Sequence, residues 1–281
     1  MTLALPRRTL LAGGAGLLLA GCAKQPITLV TPTASPTGTV RQQLTQVMDA
    51  YGRNTEQLGV SLTDLRTGAG FGFRPQYASQ SASVAKVMIV TMALRQARAA
   101  GGELSFADYG RASRAIIDSD NDSADALWGS TGGRASYDRL ATDLGLPDTR
   151  SDSRSEFWSW TNTTPSDQRQ LVELLAKGTP AVHVDDRLYL LDLMGKTNAA
   201  QTWGVGHPRD TDVRVRMKNG WVQFKSLDNL WAVNSIGHVV GEGRDYVAAV
   251  MCRMPTFEAG RKLCDAIGAS LFDVLGTGQL T

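Results

Sequence analysis

The sequence predicts an α/β chain of the α+β type: one antiparallel five-stranded sheet flanked by N- and C-terminal helices, with an inserted all-helical subdomain. Three observations lead there. Two strand-like runs, 59–64 and 70–73, are joined through a turn at Thr67-Gly68. Three more, 213–221, 230–240 and 245–254, come only in the last third, after a long stretch of helical periodicity. Helical spacing also brackets the strands, with Val40, Leu44, Val47, Met48 and Tyr51 before them and Leu263, Ile267, Leu271 and Leu275 after.

From the start of the chain, residues 1–21 read as an export signal: Arg7-Arg8, then an apolar run from Leu10 through Leu19. The run is short for a membrane span, which needs about 20 apolar residues. It ends in Leu19-Ala20-Gly21-Cys22, which resembles the bacterial lipobox; that resemblance implies lipidation at Cys22 and a lipoprotein on the outer face of the bacterial cell membrane. The arginine pair also resembles a twin-arginine signal, so the export route stays open between the two. Residues 22–39 are rich in Pro and Thr, cannot bury a core, and are expected to be an extended tether. Residues 40–281 then form a single domain, without repeats.

Composition narrows the function. Of 281 residues 42% are hydrophobic and 20% charged, enough for a substantial core. Without the two signal arginines, 27 basic residues face 27 acidic ones, so no nucleic acid is expected as a partner. Three histidines (His183, His207, His238) and three cysteines (Cys22, Cys252, Cys264) are scattered without metal-ligand spacing. No metal or other cofactor is implied, and a monomer is expected. With Cys22 lipidated, Cys252 and Cys264 remain as either a disulfide or two buried thiols.

The organising stretch is Ser83-Val84-Ala85-Lys86, which opens a largely apolar helix running through Leu94. Ser83 and Lys86 are three residues apart, so their side chains leave one face of its first turn. A hydroxyl becomes a nucleophile when a base removes its proton, and a lysine serves only when uncharged. Burial lowers a lysine pKa by disfavouring the charged form. Two further stretches carry chemistry: Ser119-Asp120-Asn121 in a polar break between helical runs, and Lys218-Asn219-Gly220 on an expected strand.

S-x-x-K, S-D-N and K-x-G in that order resemble the signature of serine β-lactamases and penicillin-binding proteins, whose third motif is K-[TS]-G. Flanking segments resemble class A: 57–68 its opening hairpin, Thr163-Thr164-Pro165 the segment after its omega loop, and 267–271 its closing helix. The likeness spans roughly residues 40–276 and implies a β-lactamase/transpeptidase-like fold. It implies that Ser83 is acylated with Lys86 as base, and that Ser119 relays a proton to the leaving nitrogen. Asn121 would bind the substrate's side-chain amide, and Asp120 would brace the loop. Lys218 would supply positive potential, and the N–H groups of Ser83 and Trp221 an oxyanion hole beside Gly220. Substrates are then a β-lactam or a D-Ala-D-Ala peptide of the cell wall. A binding lipoprotein that has lost turnover is the alternative of another class, disfavoured by the intact Ser83, Lys86, Ser119 and Lys218.

The sequence departs from class A in three places. Asn219 stands where Thr or Ser is usual, and is expected to donate to a substrate carboxylate with different reach. The segment from Lys86 to Ser119 is short, reducing one cleft wall. No E-x-x-L-N motif precedes Thr163; the loop holds only Glu156, read as a solvated carboxylate, which puts efficient hydrolysis in doubt. Period two places Arg214, Arg216 and Lys218 on one strand face, with Val213, Val215 and Met217 under the terminal helices. That basic row either steers an anionic substrate or pairs with helix carboxylates such as Asp185 or Asp192.

Overall fold

Alternation along the strands divides the interior into two cores. The computed structural model describes residues 28–206, 212–223 and 228–281; the expected signal segment, 1–21, and Cys22 lie outside them. In chain order, helix α1 (Val40–Tyr51) precedes β1 (Leu58–Asp64) and β2 (Gly70–Phe73), and β5 (Arg214–Gln223), β6 (Trp231–Gly241), β7 (Arg244–Met254) and α8 (Phe257–Gly276) close the chain. The sheet order is β2-β1-β7-β6-β5, antiparallel throughout. On β7, Tyr246, Ala248, Val250 and Cys252 face a core shared with α1 and α8. Val247, Ala249 and Met251 face the opposite core, built on the inserted helices. Val215 and Met217 of β5 lie under the terminal helices, as their period predicts.

The insertion carries α2 (Ala85–Ala99), α3 (Phe106–Ile117), α4 (Asn121–Ser130), α5 (Gly133–Asp143), α6 (Pro165–Lys177) and α7 (Val184–Gly195). Most of these starts are capped by the side chain that the sequence provides. Thr39 caps α1 in a reciprocal capping box with Gln42, Ser105 caps α3, Asp120 caps α4, Thr164 caps α6 with Pro165 next, and Thr256 caps α8. Helix α2 is buried continuously from Ala85 to Leu94, so the inserted helices pack around it.

Two features differ from the sequence reading. A two-stranded ladder pairs β3 (Ser79–Gln80) with β4 (Asn162–Thr163), too short to leave a periodic signal. Residues 28–39 form no helix or strand, but they do not hang free of the domain. The Val30 N–H donates to Asn54 Oδ1 at 2.6 Å, Asn54 returns a bond to the Val30 carbonyl at 2.8 Å, and Leu29 packs against the core. Any spacer therefore shortens to the residues before Leu29. Cys252 and Cys264 are buried free thiols; hydrogen bonding between them, together with burial, pushes the Cys264 thiol well up.

Candidate active site

Helix α2 is entered through a 3₁₀ turn, Ala82–Val84, which carries Ser83 half-buried at the edge of the sheet. Three attachments hold that turn. Asn234 of β6, fully buried, donates to the carbonyls of Gln80 at 2.7 Å and Ser81 at 3.0 Å. The Ser81 N–H donates to the Thr161 carbonyl at 2.7 Å, and the two hydroxyls also hydrogen-bond. On the remaining side β5 lies directly against the turn at Gly220. A Cβ there would come within 2.7 Å of the Ser83 nitrogen and 2.8 Å of the Val84 nitrogen, so only glycine permits the approach. Ala82 takes a positive φ of 48°, as does Ser119 at 59°, conformations uncommon for residues with a Cβ and concentrated at functional sites.

Lys86, one turn beyond Ser83, is fully buried. Its Nζ donates to the Ser119 carbonyl at 2.5 Å, the Ser119 hydroxyl at 3.2 Å and Asn121 Oδ1 at 2.7 Å. All three acceptors are neutral, and the fourth side of the amine faces the Trp158 ring, 4.7 Å from its centroid. Burial lowers the Lys86 pKa to about 8, against the upward pull of Asp120 and Asp125. Lys218 is also fully buried, donates to the Asn219 carbonyl at 3.1 Å, and is pushed well below its ordinary value by burial and then by Lys86. Lys86 thus depresses Lys218 further in a space with little water. Among the described residues Ser83 Oγ is not a hydrogen-bond partner of Lys86; the amine rests on the Ser119 loop.

That loop is braced as expected for Asp120, whose carboxylate accepts from the Ser123 N–H at 2.8 Å. Gln201 adds a donor to the Asp118 carbonyl at 3.1 Å, and Asn198 one to the Ile117 carbonyl. Asn219 corrects the sequence reading. It is fully buried, and its amide donates to the carbonyls of Gln201 at 2.9 Å and Trp203 at 3.0 Å, not toward the cleft. It shares the strand face of Val215 and Met217, so it holds the segment that in turn holds Ser119. Arg216 pairs with no helix carboxylate: it donates to His238 Nδ1 at 3.1 Å, leaving the His238 Nε2–H for Asp245 at 2.7 Å. Asp192 pairs instead with Lys196, and Asp185 lies beside His183.

The open cleft over Ser83, about 250 Å³, is lined by Asn121, Asp125, Phe157, Trp158 and Trp221. Glu156 is not among its walls. It is 84% exposed and paired with Arg134 at 2.7 Å, the solvated carboxylate that the sequence reading expects. The loop carrying it is closed at its neck, where Arg150 and Asn162 exchange backbone hydrogen bonds, and it places the Trp158 indole over the lysine. Trp158 donates from Nε1 to Asp125 Oδ1 at 2.6 Å. Asn234 and Asp125 escape the sequence reading. An Asn inside the apolar run of β6 is the visible trace of the first; nothing local marks the second.

Known proteins match this chain in sequence profile and in fold. The sequence profile of the beta-lactamase enzyme family matches residues 39–108 and 111–275. Among solved structures, a beta-lactamase from Xanthomonas campestris superposes with a TM-score of 0.74 at 19% identity, covering 85% of this chain and 100% of that one. A class A beta-lactamase from Bacteroides cellulosilyticus gives 0.73 at 17% identity, with 86% and 100% covered. The TLA-1 extended-spectrum beta-lactamase gives 0.72 at 16%, with 85% and 100%. No significant match is found among functionally curated proteins.

The contact at Gly220 makes a prediction with an internal control. Gly220→Ala should destabilise the fold by about 1–3 kcal/mol through overpacking against backbone. Gly129→Ala, in exposed helix where a Cβ meets nothing within 4 Å, should stabilise it by about 0.5–1 kcal/mol. Urea unfolding of both variants checks this; equal stability of Gly220→Ala and the parent would show that β5 does not press on the turn.

Proposed function

This chain belongs to the beta-lactamase enzyme family and is a serine β-lactamase-like hydrolase, and on that premise we propose that it opens β-lactams through an acyl-enzyme at Ser83 that hydrolyses slowly. The neutral Lys86 amine takes the Ser83 hydroxyl proton as Oγ attacks the lactam carbonyl. The C–N bond breaks, and Ser119 passes the proton from Lys86 to the departing nitrogen. The N–H groups of Ser83 and Trp221 stabilise the oxyanion; losing one such donor typically costs about 10²–10³ in rate. Asn121 orients the acyl side-chain amide. Lys218, buried and held well below its ordinary pKa, shares the dry space beneath the site with Lys86.

One observation carries the slow second step. Where a general base for water would be needed, Lys86 is covered by the Trp158 ring, and the loop's only glutamate points to solvent. General-base help is typically worth about 10²–10⁴ in rate, so its loss leaves a long-lived acyl-enzyme. The same observation favours, as a second reading, a D-Ala-D-Ala peptidase of the penicillin-binding kind. We further propose a lipid anchor at Cys22, supported by the lipobox resemblance. Cys22→Ala should leave the protein unprocessed or released; a mature-sized variant that still fractionates with membranes contradicts the anchor.

The acylation step is tested by intact-mass labelling with a penicillin. Ser83→Ala should take no label, and Lys86→Ala should label about 10²–10⁴ slower. The amine accepts a proton only when deprotonated, so the wild-type labelling rate should rise about tenfold per pH unit up to about pH 8 and level off above it. Labelling of Ser83→Ala at the parental rate would place the nucleophile elsewhere, and a rate independent of pH across that range would remove Lys86 as the base.

A further inference from the structure

One carboxylate in the cleft has no part in the mechanism above. Asp125 sits one turn beyond Asn121 on α4, so the two project from the same helix face into the same cleft. Four residues of helix advance about 6 Å, which puts Asp125 one turn further along the cleft than Asn121. It is fixed there, because the indole N–H of the buried Trp158 binds Oδ1 at 2.6 Å. The neighbouring acidic groups are already committed: Glu156 to Arg134, Asp152 to Arg154, and Asp120 to the α4 cap. Among the described residues no ion pair involves Asp125, and Oδ2 makes no hydrogen bond. Beside it at the rim stands Phe157, 69% exposed, a large apolar ring left in water on the cleft wall.

We propose that Asp125 and Phe157 form a subsite for an ammonium group on the acyl side chain of the substrate. The inference rests on the acyl-transfer reading of Ser83 and names its substrate class: acyl donors with a protonated amine a few bonds from the side-chain amide held by Asn121. An anchored carboxylate with one free oxygen accepts the ammonium N–H, and the ring face adds attraction to the same charge. An uncharged side chain would leave that oxygen to water and Phe157 without a partner. The site therefore discriminates by charge rather than by shape. For a partly exposed pair the preference should be about five- to tenfold.

The test measures acylation rate constants for aminobenzylpenicillin and benzylpenicillin, which differ by one amine, on the acid side of neutrality where the amine is protonated. The wild-type protein should prefer the amine-bearing compound about five- to tenfold, Asp125→Asn should bring the ratio to about one, and Asp125→Glu should keep its sign. The same ratio in the wild type and Asp125→Asn, or an equal loss on both penicillins, overturns the subsite; an equal loss would mean that Asp125 serves the common chemical step. Tryptophan fluorescence titrated with phenylethylammonium and with phenylethanol separates this from the acyl-transfer reading. Quenching by the cation alone, lost in Asp125→Asn, supports the subsite even if neither penicillin labels Ser83. Equal quenching by cation and alcohol overturns it even if both penicillins react.

Discussion

The site depends on a strand lying against a turn with no side chain between them. Gly220 lets β5 approach the Ser83 turn to a distance that a single methyl group would prevent. Beside it on β6, its register partner Asn234 ties the turn down by two carbonyls, spending both amide hydrogens of a fully buried side chain. With that contact made, Lys218 and Lys86 share one dry space under the turn. Each is then charged only against the cost of burial, and Lys218 against Lys86 as well. A lysine at its ordinary pKa near 10.4 is almost wholly protonated at neutral pH, whereas one near 8 is free base about a tenth of the time. The fold thus keeps a usable fraction of base without a second catalytic side chain to deprotonate it.

What surrounds Lys86 decides the rest. Its three hydrogen-bond acceptors are two oxygens of Ser119 and one of Asn121, and its open side meets an indole ring. A carboxylate in that position would pull the lysine back toward the ammonium form and would also hold a water. The ring favours the ammonium far less than a carboxylate would, and it holds no water. It shields the amine from solvent and leaves the acyl-enzyme without a strong base beside it. In the proposed mechanism this one residue separates acylation from hydrolysis, and Asp125 anchors it by accepting the indole N–H.

Much of this could be read from the chain because it is local or periodic. Alternation on β1, β5 and β7 and helical spacing in α1 and α8 fix the sheet and both flanking helices, since burying one face leaves little choice. Ser83, Lys86, Ser119 and Lys218 stand in three short motifs, so their convergence was legible. Asn219 was misjudged because the motif position suggested a cleft-facing side chain, while strand parity placed it among Val215 and Met217. Asp125 and Asn234 are invisible because their roles arise from contacts between segments distant in sequence. The β3–β4 ladder, two residues on each strand, is too short to show a period.

The central claim is that Trp158 over Lys86 leaves the second step without a base. Stopped-flow hydrolysis of a chromogenic cephalosporin measures this directly. The account predicts a burst of about one equivalent followed by a much slower steady state, as the acyl-enzyme accumulates. Linear turnover on the order of hundreds per second from the first moment, with no burst, would contradict it.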